Sequence, residues 1–226
     1  MAEPHFGSET FQFLAELRLN NDRQWFAANK PRYERHVKGP LLEFIAEFGE
    51  VLPIISPHFV ADARPNGGSM FRIYRDVRFS KDKSPYKTHA SAHFRHARAR
   101  NVHAPGFYLH LEPGNVGAGC GIWRPDTPSL ARIRDAIVAN PVGWKGATEG
   151  IEGLSLMPGE PLKRAPKGYD PEHPLIEVLK SRSFALWAGF SEEEATASDF
   201  LERFHETCGR AGPMTEFLCR ALDLEF

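Results

Sequence analysis

From Arg72 to Lys87 the chain reads Arg-Ile-Tyr-Arg-Asp-Val-Arg-Phe-Ser-Lys-Asp-Lys-Ser-Pro-Tyr-Lys, six cations in sixteen residues. The chemistry such a stretch suits is the holding of an anion. Arg72, Arg75 and Arg78 offer rigid planar forks that match the oxygens of carboxylate or phosphate, and Lys81, Lys83 and Lys87 add mobile point charges. Two acids, Asp76 and Asp82, are too few to offset that self-repulsion, which calls for an external anion. If a reaction occurs here, Asp76 is the candidate general base or metal ligand, with the arginines stabilising developing negative charge. Tyr86 would orient the ligand, and Val77 and Phe79 would anchor the loop on the core. The competing reading is structural: the arginines pair with internal acids in a salt-bridge network, and the protein is an interaction scaffold.

Charge segregation reinforces the local signal. Between Arg64 and Arg100 stand ten Lys/Arg against Asp76 and Asp82, or +8, in a chain whose net charge is −1. The remainder therefore carries −9, which argues against a general nucleic-acid coat and for one basic site. That site would take an anionic small molecule such as a nucleotide-like metabolite, or nucleic acid.

Three further groups bear on it. Lys163-Arg164-Ala165-Pro166-Lys167-Gly168-Tyr169-Asp170 is a second basic loop, in which Lys167 and Tyr169 would form the opposite wall of an anion pocket or else belong to a solvated turn. Gly117, Gly119 and Gly121 fall on one face of a strand and offer a bare floor, for a closely packed helix in the simpler reading or for a ligand. Five of ten histidines lie between His89 and His110. His89 and His93 share a strand face and are weak metal candidates, needing a carboxylate such as Asp76. No metal or cofactor is otherwise implied. Phosphate-loop, zinc-protease and serine-hydrolase motifs are missing.

The elements that must position these residues follow from periodicity. Up to residue 52 the chain reads as helices. Phe11, Leu14 and Leu17 mark the first, Asn20-Asn21-Asp22 a stop and start, and Asn29 a cap for the helix carrying Tyr33, Val37, Leu41, Phe44, Phe48 and Leu52. Gly39-Pro40 predicts a kink there. From Ser69 the period changes to two. Met70 to Arg75, Lys87 to Arg95, Gly106 to Glu112 and Val116 to Trp123 read as strands joined by hairpins, and Phe184 to Phe190 as a further one. Thr127 starts another helix, Trp144 to Pro166 reads as irregular, and Ser191-Glu192-Glu193-Glu194 is a capping box. The expectation is one globular α+β domain over residues 1–226: a central, mainly antiparallel sheet (about 69–123, with 184–190) packed by N- and C-terminal helices.

Composition agrees with an ordinary globular chain, 42% apolar and 25% charged. No apolar run reaches the ~18–20 residues that span a bilayer. Cys120, Cys208 and Cys219 have no paired spacing and read as buried small side chains in a reducing compartment, so the expected location is the cytoplasm.

The run Arg-x-x-Arg-Asp-x-Arg-Phe from Arg72 to Phe79, then Asp82-Lys83 and Tyr86, resembles the signature of a mainly bacterial family known as domain of unknown function 2461. Asn20-Asn21 with Trp25-Phe26, Gly106 to Tyr108, Gly121 to Trp123 and Pro166 to Asp170 extend the resemblance over nearly the whole chain. It implies that the signature residues act as one unit. It implies no activity, cofactor or catalytic residue.

Overall fold

Where apolar residues alternate, the computed structural model has strands; it describes residues 3–98, 104–157 and 159–226. Arg100 and His103 of the basic and histidine-rich stretches lie outside the described residues. Strands β1 (Phe59–Val60), β2 (Ala90–His96), β3 (Gly106–Glu112), β4 (Asn115–Ile122), β5 (Ser155–Leu156) and β6 (Phe184–Phe190) form one antiparallel sheet in the order β1-β2-β3-β4-β6-β5. The α+β expectation holds, with β6 paired to β4 inside the sheet.

Alternation divides the sheet into two unlike faces. Ala92 and Phe94 of β2, Phe107, Leu109 and Leu111 of β3, Val116, Ala118 and Cys120 of β4, and Phe184 and Leu186 of β6 are buried on one side. Helices α3 (Gly39–Ile55), α8 (Phe200–Arg210) and α9 (Gly212–Ala221) pack on that side. Phe48 of α3 meets Phe94 at 4.5 Å and Phe204 of α8 at 5.0 Å between ring centres. Cys120, Cys208 and Cys219 are free thiols inside this core, as their spacing implied. Among the described residues no helix is long and apolar enough to cross a membrane.

Helix boundaries depart from expectation where proline and asparagine act differently from their commonest roles. Helix α1 (Ser8–Leu19) stops at Asn20, and the Asp22 carboxylate caps α2 (Arg23–Tyr33) by accepting from the Trp25 N–H at 2.9 Å. Asn29 caps nothing. Its side chain donates to the Trp25 carbonyl, and α2 runs on through Pro31. The break expected at Gly39-Pro40 takes the form of a wide π-type turn over Glu34–Lys38 leading straight into α3, a local widening of the helix. Helix α4 (Thr127–Ala139) is followed by α5 (Pro141–Thr148), where irregular chain was expected from Trp144. Asn140 caps α5 through Gly143 N–H, and Trp144 is buried against Phe184 and Phe217. Helix α6 (Ile176–Leu179) is a single turn, and the Ser191 capping box opens only α7 (Glu192–Ala195) before α8 begins.

The expected strand from Met70 to Arg75 is not a regular one. Ser69 to Phe71 lies along β2, with Phe71 N–H donating to Ser91 O and His93 N–H to Ser69 O. Beyond that the chain folds back on itself: Arg75 N–H donates to Pro85 O, Lys87 N–H to Ile73 O, and Tyr74 forms a single bridge with Tyr86. The segment Arg72 to Lys87 is thus a hairpin-like excursion from the sheet edge.

One side chain ties the excursion to the helices. The Asn21 amide donates to Tyr86 O and its oxygen accepts from Tyr86 N–H, both at 3.0 Å. The Tyr86 ring, 5% exposed, stacks on Phe26 at 4.1 Å. Losing Asn21 strands two backbone groups that have little access to water. Asn21→Ala is therefore expected to lower stability by roughly 2 kcal/mol in urea unfolding, and Asn21→Asp, which keeps the acceptor, by less.

Candidate functional site

The face of the sheet opposite the helices carries a different set of residues. Register sets them in cross-strand rows: His93, Tyr108, Gly119 and Trp187 in one, Ser91, His110, Gly117 and Gly189 in the next, and Arg95, Gly106, Gly121 and Ala185 on the other side. Tyr108 and Trp187 therefore stand on either side of Gly119, and the missing side chain between them opens a cleft. A cavity of about 400 Å³ occupies that place. Phe71, Tyr108, Trp123, Met157 and Trp187 give it apolar walls, and Lys87, His89, Ser91 and His93 are its polar lining. Among the described residues the helices pack on the other face, so helix packing, the simpler expectation, does not account for Gly117 and Gly119; at Gly121 a Cβ would come 2.9 Å from Met214 of α9. At Gly117 the Trp187 indole closes in instead, and a Cβ there would sit 2.2 Å from the ring.

Burial governs the ionisation of this lining. His89 and His93 are both pushed down to about 4 by desolvation, helped by nearby positive charge, so both are neutral imidazoles at pH 7. The Lys87 ammonium lies 5.0 Å from the Phe71 ring centre, and burial followed by the Arg72 charge lowers its pKa. Tyr108 is raised, chiefly by burial, against a hydrogen bond from Ser91 that favours its anion.

Of the site candidates read from sequence, Lys87, His89 and His93 line the cavity together with Gly119 and Gly121 of the glycine row, and the remaining cations, Asp76, Tyr86 and Tyr169 do not. Arg75 pairs with Asp82 at 2.5 Å and donates to Ser84 O. Arg78 grips Asp76 through two bonds of 2.9 and 2.7 Å, and Lys83 donates to Val77 O. Arg75 and Arg78 thus meet the segment's own two acids, where an external anion or, in the competing reading, acids elsewhere in the chain were expected. Arg78 holds the Asp76 carboxyl down to about 2, poorly matched to general-base work, on an exposed loop. Tyr86 is a core ring, not a ligand contact. Phe79, expected to anchor the loop, is 96% exposed with the Arg78 guanidinium 5.9 Å from its centre. Arg72 and Lys81 are exposed, with no carboxylate partner among the described residues. Tyr169 donates to Asp135 of α4 at 2.8 Å, which with burial raises its pKa to about 12, so the Lys167–Tyr169 loop is fastened to α4 and forms no wall of the cavity.

His89 and His93 do meet at one cavity, but Asp76 does not join them. Among the described residues no group of three His, Cys, Asp or Glu is placed to hold a metal. A second concavity is lined by Arg124, Arg134, Arg182 and Glu160, and two of its three arginines are engaged. Arg124 pairs with Glu160, and the buried Arg134 donates to the carbonyls of Leu179 and Ser181.

Sequence reasoning passed over Tyr108, Trp123, Met157 and Trp187. The signal was present: Tyr108 and Trp187 sit at alternate positions of strands whose other face is apolar, where large side chains without core duty face the open side.

Fold and site together define a one-sided antiparallel α+β protein with a ligand-sized cleft on its uncovered sheet face. The chain belongs to the family described as conserved hypothetical protein (DUF2461), whose model matches residues 9–217. Comparison with the curated proteins gave no match.

The neutral histidines carry a pH signature. Their folded pKa of about 4 lies below the usual value of 6.5, so unfolding takes up protons in between. Stability contributed by both is complete above that usual value and is lost as pH falls towards about 4. Urea midpoints measured across this range are expected to drop with acidification, and His93→Gln is expected to flatten the slope.

Proposed function

We propose that the protein binds a small anionic molecule with a flat apolar body, held in the cleft above Gly119 with its anionic group at Lys87. The observation that carries this reading is the half-buried Lys87 ammonium at the edge of an aromatic cavity whose two histidines are neutral. Burial has already removed much of the water from that ammonium, so an arriving carboxylate, sulfonate or phosphate gains a strong charge-assisted bond. Trp187 and Tyr108 supply faces for a planar body, and Arg72 adds long-range attraction from close by. The cationic segment thus contributes through the end that enters the sheet, while Arg75 and Arg78 are held by the segment's own acids.

The anion also shifts the histidines. A bound negative charge favours protonated His89 and His93, so binding takes up protons and affinity rises as pH is lowered from about 7 towards 5.

Naphthalene-2-sulfonate is a suitable probe, with Trp187 and Trp123 fluorescence as the readout. Lys87→Met is expected to weaken its binding about tenfold, or roughly 1.4 kcal/mol. Gly119→Ala, whose Cβ would meet Tyr108 and Trp187 at no less than 3.4 Å, should fold normally yet weaken binding by encroaching on the cleft. Arg78→Ala should bind as the parent does. Equal binding by Lys87→Met and the parent, or loss in Arg78→Ala alone, would place the anion elsewhere and sink the reading. A single-stranded oligonucleotide retained through Arg78 and Phe79 would transfer the site to the loop tip.

A further inference from the structure

Tyr108, His110 and Glu112 occupy alternate positions of β3 and share its open face. Their polar atoms form a line that ends in the cleft. Tyr108 Oη lies 3.1 Å from His110 Nδ1, and His110 Nε2 lies 3.2 Å from Glu112 Oε2. An ionised carboxylate only accepts, so the imidazole proton belongs on Nε2. The Nδ1 lone pair then faces the phenol, whose O–H donates to it.

The far end is firmly held. Glu112 also accepts from Thr88 Oγ1 at 3.2 Å and Asn115 Nδ2 at 3.4 Å. Burial acts to raise its pKa, but these bonds and His110 outweigh that and keep it ionised. Facing His110 from the neighbouring segment, the His89 ring stands 4.6 Å away and is itself neutral at pH 7. Trp187 flanks it from β6. Burial and the Glu112 charge raise the Tyr108 pKa and the hydrogen bond from Ser91 works against them, so at rest the phenol keeps its proton. A core residue has no need of such an arrangement: Tyr108 is part of the cavity wall, and the base behind it is oriented by a third group, the logic of nucleophile–base–acid triads.

We propose that Tyr108 is a catalytic proton-transfer residue acting on a hydroxyl of the anion bound in the cleft, with His110 as its base and Glu112 as the positioning residue. The proposal rests on the cleft being a ligand site. In the forward step the substrate O–H breaks and its proton forms a bond to the Tyr108 oxygen. The phenol's own proton passes to His110 Nδ1. The electron pair stays on the substrate oxygen, now a nucleophilic alkoxide. The new positive charge on the imidazolium is compensated by Glu112, and the reverse movement returns the proton at the end of the cycle. Nothing is oxidised or reduced.

The test needs no knowledge of the substrate. Benzenesulfonyl fluoride reacts with an activated phenol: the oxygen bonds to sulfur, fluoride leaves, and the phenolic proton goes to the base. Peptide mass spectrometry then compares Tyr108 with Tyr74, which is 52% exposed and serves as an internal reference. Tyr108 is expected to be labelled at least about tenfold faster than Tyr74, and naphthalene-2-sulfonate to protect it. His110→Gln should remove that advantage while Tyr74 is unchanged. Glu112→Gln should move the inflection of the rate against pH to lower pH, because the carboxylate no longer stabilises the imidazolium. A purely structural bond would not produce that shift. If the sulfonate binds but Tyr108 reacts no faster than Tyr74, or Glu112→Gln leaves both rate and inflection unchanged, the relay is wrong and the binding reading stands. If the sulfonate neither binds nor protects, both fall.

Discussion

The arrangement of the molecule depends on one register. β3, β4 and β6 are paired so that Gly119 of β4 lies beside Tyr108 on one side and Trp187 on the other. Because side chains alternate, this register also sends Phe107, Leu109, Ala118, Cys120 and Leu186 into the helical layer. A slip of one residue would place glycines against the helices and large apolar groups in solvent. Core and cleft are therefore specified together. The helices reward the buried face with hydrophobic contact, and the cleft is what remains on the other side when the strand between two aromatic residues carries no side chains.

Charge follows a similar division of labour. The basic excursion is dense enough to repel itself, and it offsets part of that repulsion internally through Arg75 with Asp82 and Arg78 with Asp76, while Lys83 donates to a backbone carbonyl. Exposed pairs of this kind add little to global stability. Their effect is local, closing a loop whose backbone has few ladder bonds of its own. At the cleft burial acts instead: it pushes His89 and His93 down to about 4, so both are neutral at pH 7, and lowers Lys87 from its ordinary value. The result is a lining whose charge is concentrated on Lys87.

Much of the fold was legible because binary patterning is strong here. The strands from Ala90 to Ile122 and Phe184 to Phe190 follow from alternation, and the long helical stripe ending near Leu52 follows from its three-to-four spacing. What escaped was set by competition between local signals. Asn29 reads as a cap although α2 runs on through it and through Pro31, and the Asn140-Pro141 cap is hidden by the glycines of α5. The site was legible in part. Charge density points to Arg72–Lys87, but charge is most visible where it is most exposed, and exposure lets a loop satisfy itself. Tyr108, His110 and Glu112 carry no unusual density. Their meaning lies in sharing a strand face with a glycine row two positions deep, which composition does not weigh.

The signature residues gain a common purpose from the same geometry. Tyr86 and Lys87 are neighbours on extended chain and so point to opposite sides. Tyr86 turns inward to Phe26, with its backbone gripped by Asn21, and Lys87 turns outward to the cleft. Whatever fixes Tyr86 fixes the position of the ammonium. The Arg75–Asp82 ion pair and the Arg75 bond to Ser84 O then act as a brace, added to the backbone bonds of Arg75 N–H to Pro85 O and Lys87 N–H to Ile73 O that tie the two limbs of the excursion together. The dense charge that dominates the sequence is thus the support of one cleft wall, and the last cation in the run, Lys87, is the one that lines the cleft.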